Sequence, residues 1–135
     1  MSFNAQWSPR LLSVLRIMAA LLFLEHGTSK LLGFPPTPPP PTGAHPFELF
    51  SMFGFSGILE LVGGILLVIG LFTRITAFIL SGEMAVAYFM AHAHNGFFPI
   101  LNKGELAALY CFVFLYFAVA GGGPWSLDRL LRRSL

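Results

Sequence analysis

Four apolar stretches, each near the ~20 residues needed to cross the hydrocarbon of a bilayer, constrain this chain more than any other feature. They run from about Pro9 to Phe34, Gly54 to Phe72, Ile75 to His94 and Gly104 to Ala120. In hydrocarbon, every backbone N–H and C=O must find a partner within the protein, and an α-helix supplies those partners inside its own segment. The reading is an all-α membrane protein, a single four-transmembrane-helix bundle over residues 1–135. Pro9 suits the first turn of a helix, where its missing N–H is no loss. Gly121-Gly122-Gly123-Pro124 stops the last helix. Apolar residues make up 56% of the chain and charged residues only 10%, whereas a soluble domain carries roughly 25% charged residues. Lipid would cover the surface that charge cannot.

Several functions are excluded. The net charge of +2 comes from basic residues scattered at helix ends; they form no patch, so nucleic acid is rejected as a partner. Cys111 is the single cysteine and lies in an apolar run, so neither an intramolecular disulfide nor a redox dithiol is available, and it reads as a small apolar filler. Arg10 and Arg16 precede a run from Ile17 to Leu24 that is short enough for a signal peptide. Apolar character resumes through Leu31-Leu32-Gly33-Phe34 with no Ala-x-Ala cleavage site, so the segment reads as a retained first span. No serine or cysteine has a spaced base partner, and no glycine-rich phosphate loop occurs.

Between the first two spans, residues 35–53 form a proline-rich outer loop. Pro35 to Gly43 read as an extended polyproline segment, a stiff spacer outside the membrane. Phe47, Phe50, Met52, Phe53 and Phe55 are expected at the interface. Orientation follows from retention of positive charge in the cytoplasm. Arg10, Arg16, Arg74, Arg129, Arg132 and Arg133 fall on one face, against Lys30 and Lys103 on the other. Six against two places both termini in the cytoplasm. The closing segment from Trp125 to Arg133 reads as a short amphipathic helix on that face.

Charges at membrane depth are costly and mark functional candidates. Climbing from Arg10 at ~1.5 Å per residue, Glu25 lies roughly 22 Å up and Lys30 roughly 30 Å. The second helix starts outside, so Glu60 lies about 10 Å below the outer surface. Glu83 falls near mid-depth, with His92 and His94 near the outer end of the third span. Asn102, Lys103 and Glu105 open the fourth. The ionisable groups therefore gather in the outer half, and Arg16 is left alone in the inner half. By regular helical phase, Glu83, Ala87, Met90 and His94 share a face from which His92 points away. His26 and Lys30 are i, i+4 neighbours, whereas Glu25 lies on another face. Gly54, Gly57, Glu60 and Gly64 form a stripe that allows close helix approach.

This pattern predicts a polar pocket opening outward. Glu60 and Glu83 are its candidate proton carriers, and His26, Lys30, His94 and Glu105 its candidate ligand-binding residues. The competing reading is a set of buried ion pairs that fix helix register. His26 and His94 are the best available pair of axial haem ligands, but haem is not favoured. His92 and His94 point in opposite directions and suit a metal poorly, so no metal site is expected.

Leu15-Arg16 followed by Leu22-Phe23-Leu24-Glu25-His26-Gly27-Thr28-Ser29-Lys30-Leu31 resembles the opening signature of the DoxX family of bacterial membrane proteins. Gly57-Ile58-Leu59-Glu60-Leu61-Val62-Gly63-Gly64 and Gly70-Leu71-Phe72-Thr73-Arg74 resemble its second helix and turn. Pro99 to Glu105 and Gly123-Pro124-Trp125-Ser126-Leu127-Asp128 resemble its last two landmarks. Lys103 departs from the pattern, which usually has glycine there (Asn-Gly-Gly-Glu). The resemblance implies a four-helix protein of the bacterial inner membrane. It also implies a loose link to sulfur and quinone redox chemistry, since related DoxD-type proteins are subunits of thiosulfate:quinone oxidoreductase.

Two functions compete. The first is a membrane subunit of a quinone-linked oxidoreductase, with electrons supplied by a partner or a bound cofactor because the chain has no redox dithiol. The second is a non-enzymatic membrane partner or scaffold for other envelope proteins, acting through its outer loop and cytoplasmic tail. A solute carrier is weaker, because four spans without an internal repeat would need a homo-oligomer to make a path. Lipid is a partner in every case.

Overall fold

A computed structural model describes residues 2–38 and 50–134. Among them the chain is helical with no strand. Helix α1 spans Phe3–Leu32, α2 Met52–Ile69 and α3 Thr73–Ala87. A π-helical turn at Tyr88–His92 and a 3-10 turn at Ala93–Asn95 continue α3. Then come the single turn α4 at Pro99–Asn102, α5 at Glu105–Ala120 and α6 at Leu127–Ser134. Part of the proline-rich segment, and Phe47 with it, lies outside the described residues.

Among the described residues three helical stretches are long and apolar enough to cross a membrane: Phe3–Leu32, Met52–Ile69 and Thr73–Asn95. The fourth, Glu105–Ala120, is apolar but has only 16 residues. At ~1.5 Å per residue it covers about 24 Å, near the lower limit for the hydrocarbon. The chain is thus an all-helical protein with three to four apolar helices able to span a bilayer.

Helix ends follow local chemistry. Ser2 Oγ accepts from Ala5 N at 3.4 Å and starts α1 at Phe3, so the helix begins before Pro9 and carries that proline inside it. This differs from the expected start near Pro9, because a serine cap outweighs the one hydrogen bond a proline omits. Ser51 caps α2 by accepting from Gly54 N at 3.0 Å. Gly70, at φ 72°, ends α2 in the left-handed region, where a side chain is costly.

Helices α1 and α2 pack directly, as do α3 and α5. The first pair approaches tightly at Gly27, where a Cβ would lie 2.5 Å from Leu61 N. That neighbour is backbone and cannot yield, so the position excludes any side chain. Phe23 of α1 closes the bundle against α5. Its ring meets Phe114 edge-on at 4.8 Å between centroids, and Tyr110 stacks on Phe114 at 5.3 Å. Leu67, Ala77 and Leu80 complete this core. Leu11, Leu15, Met18, Leu22, Phe78 and Phe112 face outward, as lipid-facing side chains do.

Candidate functional site

The polar cluster sits where α1, α2 and α3 meet, near the end of the bundle away from the termini. Lys30, in the last turn of α1, donates to Ser56 Oγ at 2.7 Å and to Glu60 Oε1 at 2.9 Å. Ser56 in turn donates to Glu60 Oε1 at 3.3 Å, one turn along α2. The Lys30 ammonium also lies 5.2 Å from the Phe53 ring centroid, a cation–π distance. The Glu60 side chain is only 4% exposed, whereas that of Lys30 is 22% exposed. The pair is therefore dry on one side and reachable on the other.

Glu83 enters from α3. Glu60 and Lys30 act on it through their charges, and the Ser56 hydroxyl lies near enough to interact with it. Both of its carboxylate oxygens are buried without a hydrogen-bond partner among the described residues, as is Glu60 Oε2. Three buried acceptor atoms thus remain bare beside one ammonium. Two carboxylates and one cation leave one carboxylate unpaired, which a proton would neutralise and a hydrogen-bond donor would solvate.

The remaining expected site residues spread out. His26 is exposed and turns toward the aromatic core, 6.3 Å from the Tyr110 ring and edge-on to it. Glu105 is exposed in the first turn of α5, where a carboxylate favours the helix dipole. His94 is exposed on the 3-10 turn, and His92 is the half-buried histidine, with Nδ1 3.1 Å from the Asn102 carbonyl oxygen. Regular helical phase put these two histidines the other way round. The π-helical turn at Tyr88–His92 adds a residue to the helix repeat and rotates everything beyond it. Among the described residues no three His, Cys, Asp or Glu side chains gather into a group that could hold a metal.

Sequence reasoning missed two hydrogen-bonded knots. Asn102 is buried and donates to Tyr88 Oη at 3.2 Å and to the Gly96 carbonyl at 2.9 Å, while Gly104 N donates to its Oδ1 at 2.8 Å. At the opposite end Arg16 is fully buried. Its Nε donates to the Gly122 carbonyl at 2.9 Å, Nη2 to Trp125 O at 2.5 Å, and Nη1 to Val68 O at 2.8 Å and to Leu67 O. The last two are end-of-helix carbonyls that α2 cannot satisfy itself. Asp128 completes this knot by accepting from Phe72 N at 2.8 Å and Thr73 N at 2.9 Å, which caps α3. The segments Leu15-Arg16, Gly70 to Arg74 and Gly123 to Asp128 therefore meet in one place. Their resemblance to short family motifs was the available signal.

Comparison with known proteins agrees with this architecture. The DoxX family pattern matches residues 11–93. An uncharacterized protein of Haemophilus influenzae is 48% identical over 127 residues, covering 92% of each chain. Inner membrane protein YqjF of Escherichia coli is 29% identical over 126 residues, covering 89% of this chain and 91% of its own. No solved structure matches significantly.

Proposed function

The chain belongs to the DoxX family and is a multi-pass protein of the bacterial inner membrane, and from that premise we propose that it is the membrane subunit of a quinone-linked oxidoreductase. Lys30 and Ser56 donate to a carbonyl oxygen of the quinone headgroup. Glu83 and Glu60 then exchange the protons that accompany reduction. A quinone takes two electrons and two protons to become a quinol; the electrons come from a partner subunit, and the two carboxylates relay the protons. Both termini lie in the cytoplasm, which puts the cluster nearer the outer surface.

The supporting observation is the Glu83 carboxylate, whose two buried oxygens are bare beside a Lys30–Glu60 pair already made. A purely structural pair needs one acid per base; the second acid requires another explanation. The test is lipid extraction of the purified protein, followed by titration with a short-chain quinone in nanodiscs. Bound quinone that is lost in Glu83→Gln supports the reading. Protein that carries no quinone and binds none overturns it. Topology is checked separately by a reporter fused at Leu135, which should be active only in the cytoplasm.

A scaffold role is favoured by one observation, the exposed Leu130 and Leu131 on α6. Under that reading Lys30→Met destabilises the protein and neutralising Glu60 in the same molecule restores it, while quinone binding is absent throughout.

A further inference from the structure

A cleft of about 510 Å³ opens at the end of the bundle that carries the termini, between the start of α3, the end of α5 and α6. Arg74, Arg129 and Arg132 line it, together with Asp128, Phe72 and Ile75. The cleft lies far from the Lys30–Glu60 cluster and takes no part in its chemistry.

Each charged group has a definite role. Arg74 Nη1 donates to Ala118 O at 3.4 Å and to Val119 O, satisfying carbonyls at the end of α5. Those bonds hold its guanidinium at the cleft while leaving other N–H donors uncommitted. Asp128 is the sole acid among the described lining residues, and its two oxygens are taken by Phe72 N and Thr73 N. It therefore neutralises the start of α3 more than it neutralises the arginines. Arg129 and Arg132 are exposed on α6. Their helix is held in place because Asp128 N donates to the Gly70 carbonyl at 3.0 Å, next to the Arg16 knot. The lining thus carries three cations against one committed anion. Phe72 and Ile75 are each 63% exposed beside them, forming an apolar lip at the level where a spanning helix begins.

We propose that this cleft binds the headgroup of an anionic phospholipid from the surrounding bilayer. The phosphodiester sits among Arg74, Arg129 and Arg132, and an acyl chain runs along Phe72 and Ile75. Arginine's planar fork suits phosphate oxygens. The apolar lip distinguishes a membrane lipid from a soluble phosphate, which would have no use for it.

The test is native mass spectrometry of the detergent-solubilised full chain, mixed with phosphatidylglycerol, phosphatidylethanolamine or glycerol phosphate. The comparison is wild type against R129Q/R132Q and against R10Q, whose arginine lies on the same face but outside the cleft. Wild type and R10Q should retain one phosphatidylglycerol in preference to phosphatidylethanolamine. R129Q/R132Q should weaken that retention by about tenfold or more, given the pull of each basic residue on anionic lipid. Arg74→Gln is avoided because it uncaps α5. Equal retention of both lipids would overturn the proposal. So would an equal loss in R10Q, which indicates diffuse surface charge, or equal binding of glycerol phosphate, which indicates a soluble ligand.

Discussion

Arg16 Nε lies 2.9 Å from the Gly122 carbonyl oxygen, so the first helix is tied directly to the loop that follows the last span. The same guanidinium holds Val68 O and Trp125 O. One side chain therefore joins α1, the end of α2 and the C-terminal segment. It does so where charge is otherwise costly, because carbonyl dipoles replace the water it lost.

Arg16→Met should destabilise the protein by about 3 kcal/mol or more, since it leaves several buried carbonyls without donors. Arg16→Lys should recover less than half of that, because an ammonium cannot reproduce the planar fork. Denaturation titrations in mixed micelles measure both. Equal stability of the lysine variant and wild type would show that charge alone matters.

Asp128 should make the docking of α6 sensitive to acid. Burial alone would raise its carboxyl, but hydrogen bonds from Thr73 and Phe72, with Arg132 nearby, outweigh burial and hold it below its ordinary 3.8. A carboxyl depressed in the folded state contributes stability above its unfolded value, and that stability is lost as pH falls through the folded value. Fluorescence of Trp125, read in a Trp7→Phe background, should stay constant from neutral pH down to about pH 4 and change below it. Asp128→Asn should start less well docked and show no such transition. A wild-type transition well above pH 4 would contradict the capping role.

Lys103 occupies the left-handed region at φ 60° and ends α4. That conformation favours glycine, the residue that the resemblance implies at this position. Lys103→Gly should stabilise the protein by about 0.5–1 kcal/mol, as the relieved strain exceeds the added chain entropy. Thermal unfolding of the two proteins in the same detergent decides it; a loss of stability would mean that the lysine makes a compensating contact.

The spanning helices were legible because hydropathy over some twenty residues is a coarse signal that tolerates local irregularity. Rise per residue, taken with spans that alternate in direction, predicts Lys30 and Glu60 near the same surface, and they lie 2.9 Å apart. His92 and His94 were misassigned because the estimate assumed an unbroken α-helix, and nothing in Tyr88 to His92 announces a π turn. The start of α1 was misplaced because proline is a louder signal than a serine seven residues before it. The role of Arg16 could not be read, since its partners are backbone carbonyls, which every residue carries. Sequence patterns reveal side chains that pair with side chains far better than those that pair with the chain itself.

The central claim is that Lys30, Glu60 and Glu83 form a ligand and proton site, not merely a register pin. It is tested most directly by measuring quinone affinity and unfolding stability together in nanodiscs, for wild type, Glu83→Gln and Glu60→Gln. Glutamine keeps the volume and hydrogen-bonding capacity but cannot exchange a proton. The expected result is a folded Glu83→Gln protein, at least as stable as wild type because an unpaired buried carboxylate is gone, with quinone binding or turnover lost. Unchanged quinone affinity and turnover in both variants, with stability lowered in Glu60→Gln alone, would contradict it and leave the cluster as a structural ion pair.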